Sequence, residues 1–100
     1  MKINTKILCK ISLILNKMGI SSLITKLNIE TGNEEFDKKE LVKELFALII
    51  DNLYKAEEQI IELISQVKEI SVVEAQDVDV IEFIKELLNN EKIQSFLKFA

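Results

Sequence analysis

The chain has no proline, histidine, tryptophan or arginine, and its only glycines are Gly19 and Gly32. With no proline and almost no glycine, nothing interrupts long periodic runs, which favours helix throughout. With no histidine, Cys9 and every serine lack the usual base, so Ser-His and Cys-His nucleophilic catalysis are excluded. Two isolated glycines cannot assemble a phosphate-cradling loop. Cys9 is the single cysteine, so no internal disulfide or cysteine cluster forms within the chain, and a cytoplasmic location is the default expectation. The missing arginine removes the residue that reads base edges in bidentate fashion. No run approaches the roughly 18 apolar residues of a membrane span. The opening MKINTKILCKISLILNKMGI has early lysines, but Lys10 and Asn16 interrupt it and no small-residue cleavage site follows. It is expected to be a helix of the protein and not a secretory signal.

What is present is the balance of a globular protein. Apolar residues make up 48% and charged residues 30% of 100 residues, enough for one domain, residues 1–100, with a core that needs no disulfide or metal. Charge is unevenly placed. Residues 1–29 hold five lysines and no acid, whereas residues 30–100 hold the other 8 lysines and all 17 acids, so +5 and −9 sum to the net −4. Such asymmetry suits a partner or head-to-tail self-association, and equally an ordinary solvated lysine face.

The periodicity predicts an all-α fold: a compact single domain of about five to six helices with no sheet. Ile3, Ile7, Ile11, Ile14 and Met18 recur every three or four residues with lysines on the other side, an amphipathic helix ending near Gly19. Ser21 or Ser22 is expected to cap a short second helix carrying Leu23, Ile24 and Leu27, and NIETGNEEF is expected to be a loop turning at Gly32 and Asn33. Asp37 and Glu40 have the spacing of a capping box. The helix they open has a wide apolar stripe, Leu41, Val42, Leu45, Phe46, Leu48, Ile49, Ile50 and Leu53, as a central helix would. A phase shift near Asp51 and Asn52 predicts a break at residues 52–55, followed by a helix to about Ile70.

The stretch AQDVDVIEFI admits three readings. Asp79 with Glu82 has N-cap spacing before Ile81, Ile84, Leu87 and Leu88, with Asp77 adding negative charge near the helix start. A strand through Val78 and Val80 would be short and unpaired. A calcium loop fails because Ile81 and Glu82 stand where a ligand and a glycine belong. Capping is the preferred reading, and Ser71 with Glu74 repeats the spacing upstream. The grouped glutamates Glu57, Glu58 and Glu62, and Glu82 and Glu86, have the spacing of a solvated helix face and not of an acid–base pair. Neither catalytic residues nor a cofactor or metal site is expected, and the work left to such a chain is binding.

Three stretches carry a likeness: the lysine-isoleucine opening with KMGI at 17–20, the L-x-x-A-E-x-x-I-x-E-L run from Leu53 to Leu63, and SVVE followed by EFIKE at 82–86. Through them nearly the whole chain resembles the small tail assembly chaperones of long-tailed phages and prophages of low-GC Gram-positive bacteria. The resemblance implies a non-enzymatic, self-associating helical protein that binds the tape measure protein and keeps it soluble while tail tube subunits polymerise around it. It implies no cofactor, nucleic acid or membrane. The first helix departs from the pattern at Leu13 and Leu15, where more basic residues are expected. Candidates for the client or self-association surface are Ile11, Leu15 and Met18, and Phe96, Leu97 and Phe99, for each of which plain core packing is an equal alternative.

Chaperones of this family are often made in two lengths through a backward ribosomal slip, the longer form offering a contact to tail tube subunits. Phe96, Leu97 and Lys98 are encodable as TTT TTA AAA, which contains a slippery heptamer. The alternative function is a small helical regulator or adaptor that sets its basic N-terminal helix on DNA or an anionic membrane surface.

Overall fold

The computed structural model describes residues 2–31 and 38–99. These residues form seven α-helices and one 3-10 turn, with no strand among them: α1 (Thr5–Met18), α2 (Ser21–Thr31), α3 (Lys38–Asp51), the turn Leu53–Ala56, α4 (Glu57–Lys68), α5 (Val72–Ala75), α6 (Val80–Leu88) and α7 (Glu91–Phe99). The fold is all-α, with more and shorter helices than the five or six expected. Its radius of gyration of 13.3 Å matches the ~13 Å of a compact chain of this length.

The helices end where side chains replace missing backbone partners. Asn4 opens α1 by accepting from the Ile7 N–H at 3.0 Å. At the other end Gly19 adopts φ 72°. Its N–H reaches the Asn16 carbonyl and the Ile20 N–H reaches that of Leu15, at 3.0 and 3.2 Å. These paired bonds close a Schellman turn, completed by burial of both Leu15 and Ile20. α2 starts at Ser21 itself, so neither Ser21 nor Ser22 is the cap. Buried Ile20 precedes the helix, and its carbonyl accepts from Ile24 N–H at 3.0 Å. Asn28–Thr31, expected as loop, continue α2. Gly32, Asn33 and Asp37 lie outside the described residues.

The break after α3 needs neither proline nor glycine. The Asn52 N–H bonds the Ile49 carbonyl at 3.1 Å, three residues back. The Leu48 carbonyl that it leaves is taken by the Asn52 side-chain amide at 2.8 Å. One residue thus both stops α3 and satisfies the carbonyl it abandons. At the α6–α7 corner Gln94 Nε2 donates to the Leu88 carbonyl at 2.8 Å. Asn90 caps α7, accepting from Lys92 and Ile93 N–H groups at 2.9 and 3.3 Å.

The core is apolar, with no buried charged or polar residue among those described. α1 packs along α4 and the 3-10 turn, α3 against α6 and that turn, and α2 against α1 and α7. Fully buried Ala56 sits in the turn that touches α1, α3 and α4, where a small side chain lets three helices approach. Among the described side chains of the α3 stripe Leu45 and Ile49 are buried, while Val42, Phe46, Leu48 and Ile50 are half-buried. α1, α4 and α6 bury five, three and four residues respectively.

Candidate functional site

Asp77 and Asp79 divide as a helix start requires. Asp79 has extended backbone, and its Oδ1 accepts from the N–H groups of Ile81 and Glu82 at 3.0 and 3.3 Å. Glu82 turns to Lys85 at 3.8 Å, so the box is one-sided, unlike that at Ser71. There the Ser71 Oγ accepts from Glu74 N–H at 3.1 Å, and Glu74 Oε1 accepts from Ser71 N–H at 3.4 Å. Asp77 is exposed in the intervening turn. Among the described residues no group of three or more His, Cys, Asp or Glu side chains is placed to hold a metal ion.

The six residues proposed for a client or self-association surface mostly belong to the core. Ile11, Leu15, Met18 and Leu97 are buried, and Phe96 is half-buried against the same cluster. The Phe99 side chain lies outside the described residues. Ile11, Leu15, Met18 and Leu97 therefore pack helices of one molecule together and present no docking face in this conformation. Ile11, Leu15 and Met18 lie on the periodic stripe of α1, and a core stripe and a client stripe have the same period.

Other apolar side chains do face solvent. Leu13, Leu23, Tyr54, Val72, Val73 and Ile81 are exposed. Leu13 signals itself in the sequence, since it falls off the phase of the buried α1 stripe, and Ile81 stands out while its neighbour Phe83, which the sequence reading passed over, fills the core. Along α3, Val42, Phe46 and Ile50 form a half-exposed column at i, i+4 and i+8.

The opposite charges of the two parts of the chain meet in part within the molecule. Lys10 on α1 pairs with Glu62 on α4. Lys68 at the end of α4 stands 4.0 Å from Glu86 and 6.0 Å from the ring centre of Phe83, so one ammonium spans two residues of α6. Lys2, Lys6, Lys17 and Lys26 remain exposed. An open, mostly polar depression lies between the start of the chain and the α6–α7 corner, lined by Lys2, Ile3, Asn89, Asn90, Glu91 and Lys92. Asn90 is already engaged there as a cap. Among the described residues no helix is long and apolar enough to cross a membrane.

Compared with known proteins, the sequence matches no family model, no curated protein and no solved structure.

Proposed function

We propose that this chain is a non-enzymatic phage tail assembly chaperone that binds the tape measure protein in the host cytoplasm and keeps it soluble during tail tube assembly. The observation that carries the reading is the resemblance along the KMGI, L-x-x-A-E-x-x-I-x-E-L and EFIKE stretches. The all-α fold and the surplus of apolar side chains outside the core are consistent with it. With Ile11, Leu15, Met18 and Leu97 committed to the core, the client face on this reading lies among the apolar side chains that face solvent outside it. A longer form made by slippage at Phe96–Lys98 would share residues 1–98 and add the contact to tail tube subunits. A Leu97 codon other than TTA, or a reading frame that continues past Ala100, removes that form at this position.

Co-expression with the tape measure protein encoded nearby is expected to raise that protein's soluble yield, with the two co-purifying. Unchanged yield with no co-purification overturns the reading. A second reading draws on exposed Lys2, Lys6, Lys17 and Lys26 in a segment free of acids. On it the chain is an adaptor on DNA or an anionic membrane, and salt-sensitive binding to duplex DNA or to anionic vesicles, without client binding, would replace the chaperone.

A further inference from the structure

The first two helices repeat one surface device, an exposed leucine followed one turn later by an exposed lysine. On α1 the pair is Leu13, 43% exposed, with Lys17; on α2 it is Leu23, 47% exposed, with Lys26. At about 100° per residue Leu13 shares the outer side of α1 with Lys6 and Lys17, turned away from Ile7, Ile11, Ile14 and Met18. Leu23 likewise stands out beside buried Ile24. No acid occurs in residues 1–29. Lys10 is spent inside the molecule on Glu62. Among the described residues Lys6, Lys17 and Lys26 make no ion pair, since the other lysines that do pair are Lys68 and Lys85.

We infer that α1 and the first turns of α2 dock on an anionic lipid surface, Leu13 and Leu23 entering the headgroup boundary while Lys6, Lys17 and Lys26 stay at the phosphates. This choice of partner rests on the adaptor reading and separates its two candidates. A bilayer interface offers both environments that the device needs, an acyl boundary for leucine and anionic headgroups for the ammonium at the end of each lysine stem. A duplex offers phosphates but no apolar seat for a leucine set among lysines, and the chain has no arginine to read base edges. Residues 30–100 carry 8 lysines against 17 acids. An anionic surface repels that part, so charge turns the acid-free helices towards the lipid and the rest of the chain away from it.

The test sediments the full chain with vesicles of phosphatidylcholine alone or mixed in equal parts with phosphatidylglycerol, and measures binding to a duplex DNA at the same salt. The double variants are Leu13→Gln with Leu23→Gln, and Lys17→Gln with Lys26→Gln. All four positions are exposed, and circular dichroism checks that the variants fold. The wild type is expected to bind the mixed vesicles, not the neutral ones or the DNA, and to be released as salt is raised past about 0.5 M. Each double variant is expected to bind the mixed vesicles about tenfold more weakly. Val73→Gln, at a site 72% exposed on α5, is expected to bind like the wild type. Failure to bind the mixed vesicles overturns the proposal. If the duplex is bound in their place, the adaptor reading survives with DNA as its partner, and if neither is bound that reading falls too. A folded leucine variant that binds like the wild type marks adsorption by charge alone and overturns the proposal as well, as does an equal loss in Val73→Gln.

Discussion

Two helices end in the same left-handed turn, one built with glycine and the other without. Gly19 closes α1 at φ 72°. Glu69 closes α4 at φ 55°, its N–H reaching the Ser65 carbonyl, to which the Ile70 N–H also donates at 3.1 Å. The Ser65 hydroxyl donates in turn to the Ile70 carbonyl at 2.6 Å, so a closed local network holds a conformation that disfavours a side chain. A Cβ on Gly19 would meet nothing within 4 Å, hence the cost of Gly19→Ala is backbone strain alone, on the order of 1 kcal/mol. Glu69→Gly relieves the corresponding strain but adds freedom to the unfolded chain, for a net gain of about 0.5 kcal/mol. Urea unfolding with unchanged slope is expected to move the midpoint down for the first and up for the second. Shifts in the same direction would show that the two turns are not equivalent.

At the scale of elements, caps decide where these short helices begin. Asp79→Ala removes an acceptor from two N–H groups at the start of α6, at a cost of about 1 kcal/mol. Asp77→Ala removes only an exposed charge one turn away and is expected to cost less than about 0.5 kcal/mol. Equal losses from the two in thermal unfolding would argue against the cap. This part of the architecture was legible because capping is local: Ser71, Glu74 and Asp79 act within three residues of themselves. The break at Asn52 was legible as a phase shift, although its device, an amide covering the Leu48 carbonyl, was not. The α2 boundary failed because Ser21 and Ser22 resemble caps, whereas burial of Ile20 sets where the chain turns. For four of the six surface candidates the structure shows the core alternative, and the reason period left both open is broader. Period shows which side chains of a helix share a face, but what covers that face is a property of tertiary packing, and Ile11, Leu15 and Met18 are covered by the chain itself. Leu13 was legible only as an exception to the period.

For the whole molecule, the arrangement of burial divides the helices into a core set and an attached one. α1, α4 and α6 carry most of the buried side chains, and they are joined across helices by Lys10 with Glu62 and by Lys68 with Glu86 and Phe83. Opening α1 exposes side chains of α4 and the reverse, and opening α6 exposes those of α3 and α7, so these helices should open only with global unfolding. α2 is placed differently. In its stretch from Ser21 to Lys26, Ile24 is buried whereas Leu23 is 47% exposed. Releasing that stretch uncovers little apolar surface, and the Schellman turn at Gly19 lets it separate from α1 without unwinding α1. Native-state hydrogen exchange is therefore expected to give α1, α4 and α6 amides one common, highest opening free energy that falls together with added denaturant. Amides in the second turn of α2 are expected to exchange through a smaller opening that responds less steeply to denaturant. If α2 amides instead follow the global isotherm, α2 belongs to the cooperative core and the division is wrong. If α1 opens with α2 below the global value, the ion pair to Glu62 and the Ile7–Ile11–Ile14 stripe do not bind α1 to α4 as tightly as their burial implies.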